Sequence, residues 1–155
     1  MSQKGFLGIL FLVVALFSAA WNLYSGWILS GPSGASPEGH LIRGIVTTAA
    51  CFVGNILCLS TASRSQFSLR QLLSENQIAE AGYADFQNYF ERCSLFAWIS
   101  MGAVFPSLIT GTTSQPGNFP WVHGPLGIFL VISYTLALVH WIGLIPRLKR
   151  LKTRF

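Results

Sequence analysis

Residues 121–141 read WVHGPLGIFLVISYTLALVHW, an almost unbroken apolar run with a histidine near each end. Continued to Ile145, the run contains no Asp, Glu, Lys or Arg. It also exceeds the roughly 20 residues that a helix needs to cross a bilayer. Three further stretches reach spanning length: 5–30, 40–62 and 88–111, the last most apolar after Cys93. The chain of 155 residues is 52% hydrophobic and only 10% charged, against about 25% charged in an ordinary soluble domain. The fold class that follows is all-α: a four-helix transmembrane bundle forming one domain.

The first span superficially resembles a secretory signal, with one lysine before it and SAA at 18–20. Its apolar run continues to Ile28, longer than the apolar region of such a signal, so a retained helix is expected. Charge then sets the orientation. The segments between spans one and two and between spans three and four carry no Lys or Arg, and 112–120 carries no charge at all. Arg64 and Arg70 lie between spans two and three, and five of the ten basic residues fall in 147–155. Cationic segments stay on the cytoplasmic side. Both termini, the 63–87 segment and the 146–155 tail are therefore expected in the cytoplasm, as in an inner-membrane protein of a bacterium. The basic tail suits anionic lipid headgroups; no nucleic-acid module accompanies it, so nucleic acid is not an expected partner.

Within 63–87, Ser68 with Gln71 three residues later has the form of a capping box, and leucines follow at helical spacing. A short amphipathic surface helix between spans two and three is predicted, ended by Gly82, with Asp85 capping the third span. Trp21, Tyr24 and Trp27, Tyr89, Trp121 and Trp141 lie near span ends, where amphipathic rings form an interfacial belt. Cys51, Cys58 and Cys93 make no CxxC and no disulfide framework; they read as small apolar packing residues.

Polar groups within spans mark sites. His40, Arg43 and His123 fall near the outer face, with Asn22 at a similar depth. His140 falls near the inner face, with Tyr89, Glu91, Arg92 and Cys93, and Asn55 from span two. His123 and His140 are about 25 Å apart along a helix and about 260° apart around it, so one metal cannot take both. Haem needs axial ligands at one depth on facing helices; His40 and His123 meet only the depth requirement, and His140 has no histidine partner. A zinc or copper site lacks a third ligand. The bland reading makes the histidines interfacial and lets the arginines snorkel to headgroups.

No nucleophile elbow, HExxH, P-loop or dinucleotide loop occurs, and no acid lies deep in a span, as a carrier would require. Span two is rich in small residues, which let helices approach closely in lipid. The expected function is therefore non-enzymatic: an accessory or scaffold subunit of a larger, energy-transducing membrane complex, with the bilayer and bigger membrane subunits as partners. The rival is a redox or pigment subunit holding a haem, chlorin or quinone through His140, His123, His40, Arg43 or Arg92.

Overall fold

The computed structural model describes residues 3–27, 37–113 and 120–152, with side chains over 3–25, 41–107 and 124–151. Four helices follow in order: α1 (Gln3–Trp27), α2 (Pro37–Ser74), α3 (Glu80–Thr113) and α4 (Pro120–Lys152). No strand occurs among the described residues. α1 packs against α2 and α4, and α3 against the same two helices; α2 and α4 face each other across the diagonal and touch little. Cross-contacts such as Asn22 with Arg43, Ser100 with Asn55 and Cys93 with His140 show each helix running antiparallel to its sequence neighbour. α1, α2 and α4 are each long and apolar enough to cross a membrane. α3 is charged through its first half, and its apolar end runs on beyond Ser107, the last of its described side chains.

The buried positions explain why these helices associate lengthwise. On α3 they are Tyr83, Phe86, Cys93, Ala97, Ser100 and Val104, and on α4 Tyr134, Ala137, Trp141 and Leu144. Gly8, Leu12, Ala15 and Ala19 face inward on α1. These steps of three, four and seven fit the 3.5-residue period that keeps a single seam facing a neighbouring helix. Two apolar clusters result. One, toward the end where α1 and α3 begin and α2 and α4 finish (the inner end), holds Cys58, Leu69, Phe86, Cys93 and Trp141. The other holds Ala15, Ala19, Cys51, Met101 and Tyr134.

Small residues set the α1–α2 spacing. A Cβ built on Gly8 would lie 2.8 Å from Cys58 Sγ and 3.0 Å from the Gly54 carbonyl oxygen; one on Gly54 would lie 2.8 Å from Leu12 Cγ and 3.0 Å from the Gly8 carbonyl oxygen. The two backbones are therefore in direct contact. Further along the same seam, Thr47 donates to Ser18 Oγ (2.7 Å) and Arg43 Nε donates to Asn22 Oδ1 (2.9 Å).

The separate surface helix expected between spans two and three does not exist. α2 runs without a break to Ser74, and only 75–79 connects it to α3. Ser68 caps nothing: its hydroxyl donates to the Arg64 carbonyl one turn earlier (3.3 Å), and Gln71 donates to Glu75 (3.1 Å). The helix stops at Asn76, whose φ of 56° is left-handed. Asn76 N–H donates to the Leu73 carbonyl and Gln77 N–H to the Leu72 carbonyl, the paired bonds of a Schellman cap. Gly82 belongs to the start of α3, where a Cβ would meet Leu151, and Asp85 pairs with Arg147 at 3.6 Å. The leucines of 68–78 pack on the protein itself: Leu69 is buried against the start of α3, with Leu72 and Leu73 beside it.

Candidate functional site

Three polar groupings occur at different heights. The central one is a layer between the two apolar clusters. Asn55, fully buried on α2, donates through Nδ2 to Ser100 Oγ on α3 (2.9 Å) and to Cys51 Sγ (3.4 Å). Its Oδ1 accepts from Trp141 Nε1 on α4 (3.2 Å), and Ser100 in turn donates to the Ala97 carbonyl (2.8 Å). One amide thus links three helices. Beside it, the buried Tyr134 hydroxyl lies against the Cys51 thiol.

The inner grouping centres on His140, partly exposed on α4. Its ring lies between Phe96 (centroids 4.3 Å apart) and Tyr89 (5.7 Å) of α3. Nδ1 is 2.8 Å from the Leu136 carbonyl oxygen. A carbonyl only accepts, so Nδ1 carries the hydrogen, and in the neutral ring Nε2 holds the lone pair that a metal would take. Cys93 Sγ donates to the His140 carbonyl (3.4 Å). Arg147 closes the group: its guanidinium lies 3.7 Å from the Tyr89 ring centroid and donates to the Gly143 carbonyl (3.0 Å). Tyr89 itself covers Gly143, where a Cβ would collide with the Tyr89 hydroxyl.

The outer grouping is Arg43 with Asn22, which meet as their depths suggested. The side chains of His40 and His123 lie outside the described residues.

Of the inner residues expected together, His140, Tyr89 and Cys93 do meet. Arg92 and Glu91 are exposed, Glu91 accepting from Gln87 (3.3 Å); the cation at Tyr89 is Arg147. Trp141 is not an interfacial ring. It is 3% exposed and joins the central layer. The roles of Ser100, Trp141 and Arg147 escaped the sequence reading. The three-four period would have exposed the first two, because Asn55, Ser100 and Trp141 all fall in phase with the buried small residues of their helices. The three cysteines are free and buried, as expected of packing residues. Among the described residues, no group of three or more His, Cys, Asp or Glu side chains converges as a metal site would.

A cavity of about 790 Å³ lies at the inner end between the start of α1, the 58–68 stretch of α2 and the 141–149 stretch of α4. His140 does not line it. No protein-family model matches the chain, and neither does any curated protein or solved structure.

Proposed function

We propose that this chain is a small multi-pass membrane protein, a four-helix transmembrane bundle with both termini on the cytoplasmic side, that serves as a non-catalytic scaffold subunit of a larger membrane complex. The orientation rests on charge. Lys4, Arg64, Arg70, Arg147, Lys149 and Arg150 all belong to the end where α1 and α3 begin and α2 and α4 finish, and cationic ends stay inside.

The observation that carries the scaffold reading is Trp98. It is 66% exposed on the outward face of α3, less than one turn from Ser100 and so level with the central polar layer. Tryptophan facing lipid gathers at the membrane border, not at mid-depth, and hydrocarbon offers its indole N–H no acceptor. A neighbouring protein helix would supply one. Leu95 and Phe105, also exposed, extend the same face. Asn55, Ser100 and Trp141 inside the structure, by contrast, already bond to one another.

Purification in mild detergent is expected to recover the protein with larger membrane subunits, and Trp98→Ala is expected to lose them while keeping the helical content unchanged. A wild-type chain that elutes alone as a stable monomer would refute the scaffold role.

A second reading has one observation of its own. His140 is oriented by Leu136 and steadied by Tyr89 and Phe96, an arrangement suited to a single axial ligand of a haem or chlorin. The inner cavity does not reach it, so such a group would lie on the outside of the helices, against a partner. This reading predicts a reduced-minus-oxidised visible spectrum with stoichiometric bands that vanish in His140→Ala; a featureless wild-type spectrum removes it.

A further inference from the structure

We infer that the inner cavity between α1, α2 and α4 is a binding site for one anionic phospholipid of the cytoplasmic leaflet. This inference rests on the membrane embedding of the apolar helices and is independent of any partner protein. Each bordering helix contributes a cation: Lys4 from α1, Arg64 from α2 and Lys149 from α4, and among the described residues no Asp or Glu lines the cavity. The charge therefore complements a phosphodiester.

The lining also changes character with depth, as an amphipathic ligand requires. Trp141 and Ile9 line the deep end, and Leu144 and Leu148 continue the wall toward Lys149. Trp141 and Lys149 are eight residues apart on one helix, so the apolar wall runs for about 12 Å before the charge begins. On α2 the hydroxyls of Ser65 and Ser68 lie beside Arg64 at the polar end. Both donate to their own helix carbonyls (3.1 and 3.3 Å), which leaves their oxygens able to accept from the hydroxyls of a headgroup. A small soluble anion has no use for the apolar half, and a neutral lipid makes no use of the cations at the polar end.

The test uses the full chain in mixed micelles and in phosphatidylcholine nanodiscs doped with phosphatidylglycerol. Native mass spectrometry is expected to show one phosphatidylglycerol retained per chain, in preference to phosphatidylcholine. Phosphatidylglycerol bearing a diazirine in its acyl chain is expected to label 141–148. Lys4→Gln with Arg64→Gln should weaken retention about 30-fold, at roughly fivefold for each cation near the membrane surface. Arg92→Gln with Arg150→Gln removes the same charge outside the cavity and should weaken retention by less than about threefold, the residue of long-range attraction. Equal loss in the two double variants, labelling spread over all four helices, or equal retention of phosphatidylcholine would each overturn the site. Inorganic phosphate binding as tightly as the lipid would make it a small-anion site instead. A chain that fails to enter nanodiscs at all refutes the membrane reading and is distinguishable from every one of these results.

Discussion

Gly54→Leu is expected to destabilise the fold by about 3 kcal/mol or more, the upper end of what overpacking costs, whereas Gly102→Leu is expected to cost nothing. Intrinsic helix propensity favours leucine over glycine by up to about 1 kcal/mol at both positions, so propensity cannot separate them. Contact does. At Gly54 the new Cβ would lie 3.0 Å from two backbone atoms of α1, the Gly8 carbonyl oxygen and the Leu12 nitrogen. Backbone atoms cannot rotate aside as a flexible side chain can, so α1 must move as a body. That movement also pulls apart Thr47 from Ser18 and Arg43 from Asn22, which share the seam. At Gly102 nothing lies within 4 Å of the same Cβ. Unfolding titrations of the two variants in mixed detergent micelles should therefore diverge in opposite directions from wild type. Equal stability of the two would mean that α1 and α2 are not in backbone contact.

The same seam shows what was legible in the sequence. Four helical segments could be found because apolar length is a one-dimensional property, summed along the chain, but α2 ends at Ser74 and not 62, and α3 begins at Glu80 and not 88, where the helices run on past their apolar stretches. The run of small residues on span two announced close packing, yet not against what: the partner glycine, Gly8, lies on another span, and no local GxxxG spacing records a contact between two different helices. The error at 68–78 has a local cause. Ser68 and Gln71 satisfy the pattern of a capping box, but a capping box marks a helix start only where the chain has first been interrupted. Between Gly54 and Gly82 there is neither glycine nor proline, and α2 simply continues until Asn76 adopts the left-handed conformation. Trp141 was misplaced for a related reason. An interfacial tryptophan and a buried one look identical when depth alone is considered, and only helical phase separates them. Trp141 is in register with Tyr134, Ala137 and Leu144, all buried. For His140 the depth argument placed Tyr89 and Cys93 correctly, but it also placed Glu91 and Arg92 there, whose helical phase turns them outward. Arg147 was read as one of a run of tail cations; that it reaches back over Tyr89 depends on the close approach at Gly143, a contact between helices.

Asn55→Leu is expected to cost about 2–3 kcal/mol, and its effect should not add to that of a second change, at Trp141. Hydrogen bonds between helices in membranes average only about 0.6 kcal/mol and reach about 1.7 kcal/mol, so losing the bond to Ser100 is a modest part. Ser100 keeps its own bond to the Ala97 carbonyl and is left satisfied. Trp141 is not: its buried Nε1–H loses Asn55 Oδ1, its one hydrogen-bond acceptor in the structure, and an orphaned buried donor costs about 1–3 kcal/mol. Removing the donor as well should lift that penalty. Trp141→Phe alone leaves Asn55 Oδ1 without its indole donor, but in the Asn55→Leu background it removes a group that has already become a liability. The double variant is therefore expected to be more stable than the sum of the two single losses by about 1 kcal/mol or more, a coupling of the size found between residues of one network. Ser100→Ala should couple to Asn55→Leu as well, because alanine alone leaves the buried Asn55 Nδ2–H without its 2.9 Å acceptor. Strict additivity of Asn55→Leu and Trp141→Phe in a detergent unfolding cycle would show that the three-helix layer does not act as a unit. The coupling would then have to be sought in the apolar clusters on either side of it.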